Sequence, residues 1–170
     1  DKFFSSYQEL HRWSIENPKS FWQAVWDFCG VIASSPYDQV VENLERFPGT
    51  SWFPGAKINF AENLLRFDGD GIAIISLLEN SKRQTLTHRE LYLAVEKLSA
   101  AMRAHGIVKG DRVASLMPNI SETVIAMLAT ASIGAIWSSC SPDFGVSGAC
   151  DRFNQIEPRL LFTASSYCYD

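Results

Sequence analysis

This chain of 170 residues has no glycine-rich phosphate loop. There is no G-x-G-x-x-G at a strand-to-helix turn, where glycines would let backbone approach a pyrophosphate, and no Gly-rich turn followed by Lys and Ser or Thr. No G-x-S-x-G elbow surrounds any serine, and Ser138, Ser139 and Ser141 have no histidine nearby in sequence, so nucleophilic catalysis is poorly supported. The four cysteines, Cys29, Cys140, Cys150 and Cys168, form no C-x-x-C pair and do not cluster with His11, His88 and His105. That leaves no metal-ligand spacing, and buried reduced thiols are the better reading. The chain also lacks basic excess, with 15 Lys+Arg against 19 Asp+Glu and a net charge of −4. Nucleic-acid binding, which needs a basic face to neutralise phosphates, is argued against. The most apolar stretch, Ile120 to Trp137, is interrupted by Ser121, Glu122, Thr123, Thr130 and Ser132, too polar for a membrane span. Asp1-Lys2-Phe3-Phe4-Ser5 has no signal-peptide layout, so a cytoplasmic location is expected.

What is present is apolar and aromatic: 46% hydrophobic residues and 12% aromatic, with the tryptophans gathered toward the N-terminus. This is enough to fill a core. Residues 1 to about 47 read as short helices. Ser5 with Gln8 and Ser6 with Glu9 are alternative capping boxes, and Ser20 with Gln23 repeats the device. Phe21, Trp22, Val25, Trp26 and Cys29 then recur at helical spacing, a packing face. Pro18 marks a break between two helices, and a third helix is expected over 38–46. Residues 48–71 form a connector punctuated by Pro48-Gly49, Pro54-Gly55 and Asp68-Gly69-Asp70-Gly71, with a short helix near Asn59 to Leu65.

From Ile72 the texture changes. Ile72 to Leu78 is a β-branched run with a hairpin partner in Gln84 to Thr87. Thr87-His88-Arg89-Glu90 is a capping box, and Leu91, Val95, Leu98 and Met102 follow at helical spacing until Gly106. Strands are expected over 112–117, 135–139 and 159–163, with helices capped by Asn119 and spanning 147–156 between them. This alternation predicts an α/β fold: a helical N-terminal extension (1–71) followed by part of a parallel, doubly wound sheet (72–170). Ligands of such sheets gather at the carboxyl ends of strands. Those ends are Leu116 to Asn119, Ser138 to Gly145, and Thr163 to Ser165. The second is longest and most polar, hence the best candidate for lining a site. His88 reads as a first-turn surface residue, and Asp151 and Arg152 as a solvated helix face.

Several motifs occur in a familiar order. Trp52-Phe53-Pro54-Gly55-Ala56-Lys57-Ile58-Asn59-Phe60-Ala61-Glu62-Asn63-Leu64 resembles the signature closing the N-terminal extension of acetyl-CoA-synthetase-like enzymes. Leu86-Thr87-His88-Arg89-Glu90-Leu91, Lys109-Gly110-Asp111-Arg112-Val113-Ala114 and Pro118 to Ala129 resemble successive segments of adenylate-forming enzymes. The stretch Ala131 to Gly145, with Asp151-Arg152-Phe153 and Gln155-Ile156-Glu157-Pro158, is similar to the acetoacetate branch of the acyl-CoA synthetases. The resemblance covers essentially the whole chain.

The resemblance implies a two-step ligation with Mg-ATP and CoA as co-substrates. A carboxylate such as acetoacetate attacks the α-phosphate, and the CoA thiol then displaces AMP. The family's phosphate loop ending in Pro-Lys, its aromatic-Thr-Glu segment, its ribose-binding Asp and its C-terminal lysine have no counterpart here, so no catalytic residue is carried over. The piece alone is expected to be inactive and to hold no cofactor tightly. One segment transfers in part. Ser141-Pro142-Asp143-Phe144 aligns with a Phe-Gly-Gly-Phe stretch beside CoA in the acetyl-CoA branch, but Pro-Asp does not allow the close backbone approach that Gly-Gly does. A CoA-side loop and a purely structural loop both stay open. Two other readings are a synthetase fragment for acetate or another short acid, and a non-catalytic α/β interaction module. A truncated sheet is further expected to self-associate through its exposed edge.

Overall fold

The computed structural model describes residues 3–78 and 82–167. The chain divides into two compact units, one ending at Ile58 and the other beginning at Asn59.

The first unit opens with α1 (Tyr7–Glu16) and α2 (Pro18–Cys29). Ser6 caps α1, its hydroxyl accepting from the Glu9 N–H at 3.3 Å, while the Glu9 carboxylate reaches back to the Ser5 N–H at 3.0 Å. That bond to the Ser5 amide is the main cause holding the Glu9 carboxyl below its ordinary pKa. Asn17 separates the helices, and Pro18 begins α2 ahead of the expected box at Ser20. Proline suits a first helical position because its missing N–H would have no intrahelical partner. Short strands β1 (Ala33–Ser35), β2 (Val41–Glu42), β3 (Ser51–Trp52) and β4 (Lys57–Ile58) complete the unit, with β1 antiparallel to β4 and β2 antiparallel to β3.

The helix expected over 38–46 is not formed. Asn43 sits in the left-handed region (φ 53°), and backbone groups before it are engaged by residues 53 and 54. The Asp38 N–H donates to Pro54 O at 2.8 Å, and the Phe53 N–H donates to Val40 O at 2.8 Å. Pairing with a distant segment overrode the local helical pattern.

Aromatic rings pin this unit. Trp26 lies 4.6 Å from Phe53 and 5.1 Å from Tyr37, while Trp22 meets Trp52 at 5.9 Å. Phe53 keeps a positive φ of 48°, costly for a bulky residue and held by that ring cluster. Gly55 has φ +85°, and a Cβ there would stand 2.5 Å from Asp38 Oδ2. The Trp-Phe-Pro-Gly signature therefore has a steric basis: only glycine fits beside Asp38 in this turn.

The second unit begins with α3 (Phe60–Leu64). Asn59 caps it through Oδ1 (Glu62 N–H, 3.2 Å), and its Nδ2 donates to Ala131 O at 3.0 Å. The hairpin β5 (Ile72–Leu77) and β6 (Arg83–Thr87) leads into α4 (His88–Ala104). The expected capping box is complete: Glu90 N–H to Thr87 Oγ1 at 3.2 Å, and Thr87 N–H to Glu90 Oε2 at 2.8 Å. The Thr87 amide bond is the first cause of a lowered Glu90 pKa. Then come β7 (Arg112–Leu116), α5 (Ser121–Ile133), β8 (Ile136–Cys140), a 3-10 turn (Pro142–Phe144), α6 (Gly145–Ile156) and β9 (Leu160–Thr163). Asn119 does not cap α5. The boundary residue is Ile120, which supplies no side-chain bond, because the turn closed by the Ile120 N–H on Pro118 O shifts the helix start.

The three strands form one parallel sheet in the order β8-β7-β9. With right-handed crossovers, α5 and α6 fall on opposite faces of it. The core is the α4–α5 side: Leu91, Val95, Met102, Ile107, Val113, Leu128 and Ala129 are buried together with Ala61 of α3. Each such Leu or Val contributes about 1.5–3 kcal/mol relative to exposure.

Asp111 braces the amino ends of the strands. Its Oδ2 accepts from the Val108 N–H at 2.8 Å and from Arg159 Nη1 at 2.9 Å, and its carbonyl takes the Ile136 N–H at 2.8 Å. The Val108 amide is the first cause of a lowered Asp111 pKa, with the Arg159 guanidinium adding to it.

Candidate functional site

Two exit paths diverge at the carboxyl rim of the sheet. The chain leaves β7 toward α5 and leaves β8 toward α6, so with right-handed crossovers the two exits turn to opposite faces. Such a divergence is where open α/β sheets hold ligands. A cavity of 210 Å³ lies there, lined by Leu116, Pro142, Gly145, Val146, Thr163, Ala164 and Tyr167. All three strand ends singled out in the sequence thus supply residues to one hollow.

Within Ser141-Pro142-Asp143-Phe144 the residues do different things. Ser141 Oγ donates to Asp143 Oδ2 at 2.8 Å and accepts from the Asp143 N–H at 3.4 Å, closing a local turn. Pro142 lines the cavity. The Phe144 ring is about half exposed and carries the Arg152 guanidinium 4.1 Å from its centroid. Arg152 in turn donates to Gly148 O at 3.0 Å.

Arg152, which the sequence places on a solvated helix face, is indeed exposed, and its guanidinium also rests over the Phe144 ring. Val146 and Tyr167, which line the hollow, are not singled out by the sequence, and no spacing rule points to them.

No histidine lines the hollow. His88 opens α4 with its ring 5.8 Å from Phe67, His11 stacks on Tyr7 at 6.1 Å, and His105 is the C-cap of α4. Among the described residues no group of three or more His, Cys, Asp or Glu side chains could hold a metal ion. The rim therefore offers apolar walls, two hydroxyls (Thr163 and Tyr167) and a cation-capped ring. These can position a ligand, and among the described residues they assemble no nucleophile–base pair.

A parallel α/β unit with a hollow at a strand-end divergence has the architecture in which open α/β sheets hold ligands. The chain belongs to the AMP-binding enzyme family, which it matches over residues 60–170. Residues 7–64 match the acetyl-coenzyme A synthetase N-terminus. It is similar to an acetoacetyl-coenzyme A synthetase of Rhizobium meliloti, 48% identical over 98% of this chain and 26% of that protein. A malonamoyl-CoA synthetase of Penicillium aethiopicum is 47% identical over 97% of the chain and 24% of that protein. In structure it is similar to acetoacetyl-CoA synthetase from Streptomyces lividans, with a TM-score of 0.91 and 43% identity over 98% of this chain and 26% of that one. The chain thus spans about a quarter of the length of these relatives.

Proposed function

We propose that this chain forms the N-terminal quarter of an acid–CoA ligase that converts acetoacetate, ATP and CoA to acetoacetyl-CoA, AMP and pyrophosphate. The observation that carries the reading is the fit to the Streptomyces lividans enzyme over nearly every residue of the chain. The malonamoyl relative sharpens the substrate class. Malonamate is acetoacetate with an amino group in place of the terminal methyl, so both acids are short and carry a carbonyl at C3. An acetyl-CoA synthetase reading has weaker support, because the stretch from Ala131 to Gly145 carries Ser-Pro-Asp-Phe at 141–144.

In this reading Mg-ATP is held by residues outside the chain. A triphosphate and its cation need convergent charged groups, and the described rim does not present them. What the chain supplies is the first α/β subdomain, residues 72–170, behind the extension and connector of 1–71. The loop Ser141 to Phe144 faces CoA, with the exposed face of Phe144 as its contact and Arg152 holding the opposite face. The reading includes a cytoplasmic location. Separately, no helix among the described residues is long and apolar enough to cross a membrane. Among the described residues β8 and β9 each leave one edge unpaired; these edges are where the isolated piece self-associates, and a strictly monomeric sedimentation profile at high concentration would remove that expectation.

The decisive experiment is a thioester-forming assay with acetoacetate, ATP and CoA. The natural protein at the length of its relatives is expected to turn over, and the 170 residues alone are not. Turnover or stoichiometric Mg-ATP capture by the short chain would overturn the assignment of the triphosphate site. In the longer protein, Phe144→Ala is expected to raise KM for CoA and leave KM for acetoacetate unchanged. An unchanged KM for CoA would make the loop structural.

A further inference from the structure

We draw no further inference here: the strongest candidate, the 370 Å³ hollow between the β5–β6 hairpin and the first turn of α5, has its most buried polar side chain, Ser121, already bonded to Glu122, and nothing in the structure shows what covers it.

Discussion

The two units of this chain stay folded by different means. The second has a continuous apolar core, in which Val113, Ala129 and Ala61 are fully buried beneath α4 and α5. The first has a single buried hydrophobic residue among those described, Val40 at 3% exposure, and relies on half-buried rings packed edge to face around a strained turn. A core of aliphatic side chains tolerates little volume change but has no special backbone demands. A ring cluster over a turn inverts this: the packing is looser, and the conformation of a few backbone positions carries the order.

The comparison predicts different weak points. The largest effect is expected in the second unit. Leu128→Ala removes a side chain only 2% exposed, and about 2–5 kcal/mol should be lost. A urea midpoint barely moved would mean that the core is far more plastic than its packing implies. Next comes Gly55→Ala in the first unit, which places a Cβ against Asp38 at a positive φ. A loss of roughly 1–3 kcal/mol is expected, read by near-ultraviolet dichroism of the tryptophan cluster. Adding Asp38→Ala should restore part of it, leaving the backbone strain alone. If the double variant is no better than the single, contact with Asp38 is not what demands glycine.

The third prediction has the opposite sign. Ser115 is fully buried on β7, and its hydroxyl has no hydrogen-bond partner among the described residues. Ser115→Ala should be neutral or stabilising, by about 1 kcal/mol at most, since an unpaired buried hydroxyl costs desolvation. A clear fall in Tm would show that the hydroxyl is satisfied in solution.

The smallest effect concerns pH. The folded pKa of Asp111 is lowered first by the Val108 amide and then by Arg159. A depressed carboxylate pKa adds stability that is fully present above the unfolded value, about 3.9. That stability is lost as pH falls through the folded value. Asp111→Asn should therefore flatten the acid limb of the stability curve while leaving its shape near neutrality. An unchanged acid limb would place the acid sensitivity elsewhere, for instance at Glu90.

Legibility also differed between the units. In the second, Leu91, Val95 and Met102 declared a helix face by spacing, and the Thr87–Glu90 box fixed its start to the residue. Strand ends there predicted which segments meet at the rim. In the first, the helical pattern over 38–46 was misleading, because Asp38, Val40 and Asn43 answer to partners at 50–54 that no local rule reveals. At the site, Ser141 to Phe144 were recognisable as a polar strand end, but the arrangement of Arg152 over Phe144 was not. Whether a charged side chain lies in water or on a ring depends on the turn between them.

The sequence by itself determined the α/β alternation, the order of elements from Ile72 onward and the capped start of α4, because each follows from periodicity or from bonds spanning at most a few residues. Only the tertiary structure decided that β7 lies between β8 and β9, that Asp111 ties two strand entrances together, and that glycine is obligatory at position 55. Those outcomes depend on groups far apart along the chain meeting at fixed distances, and spacing within a segment carries no record of them.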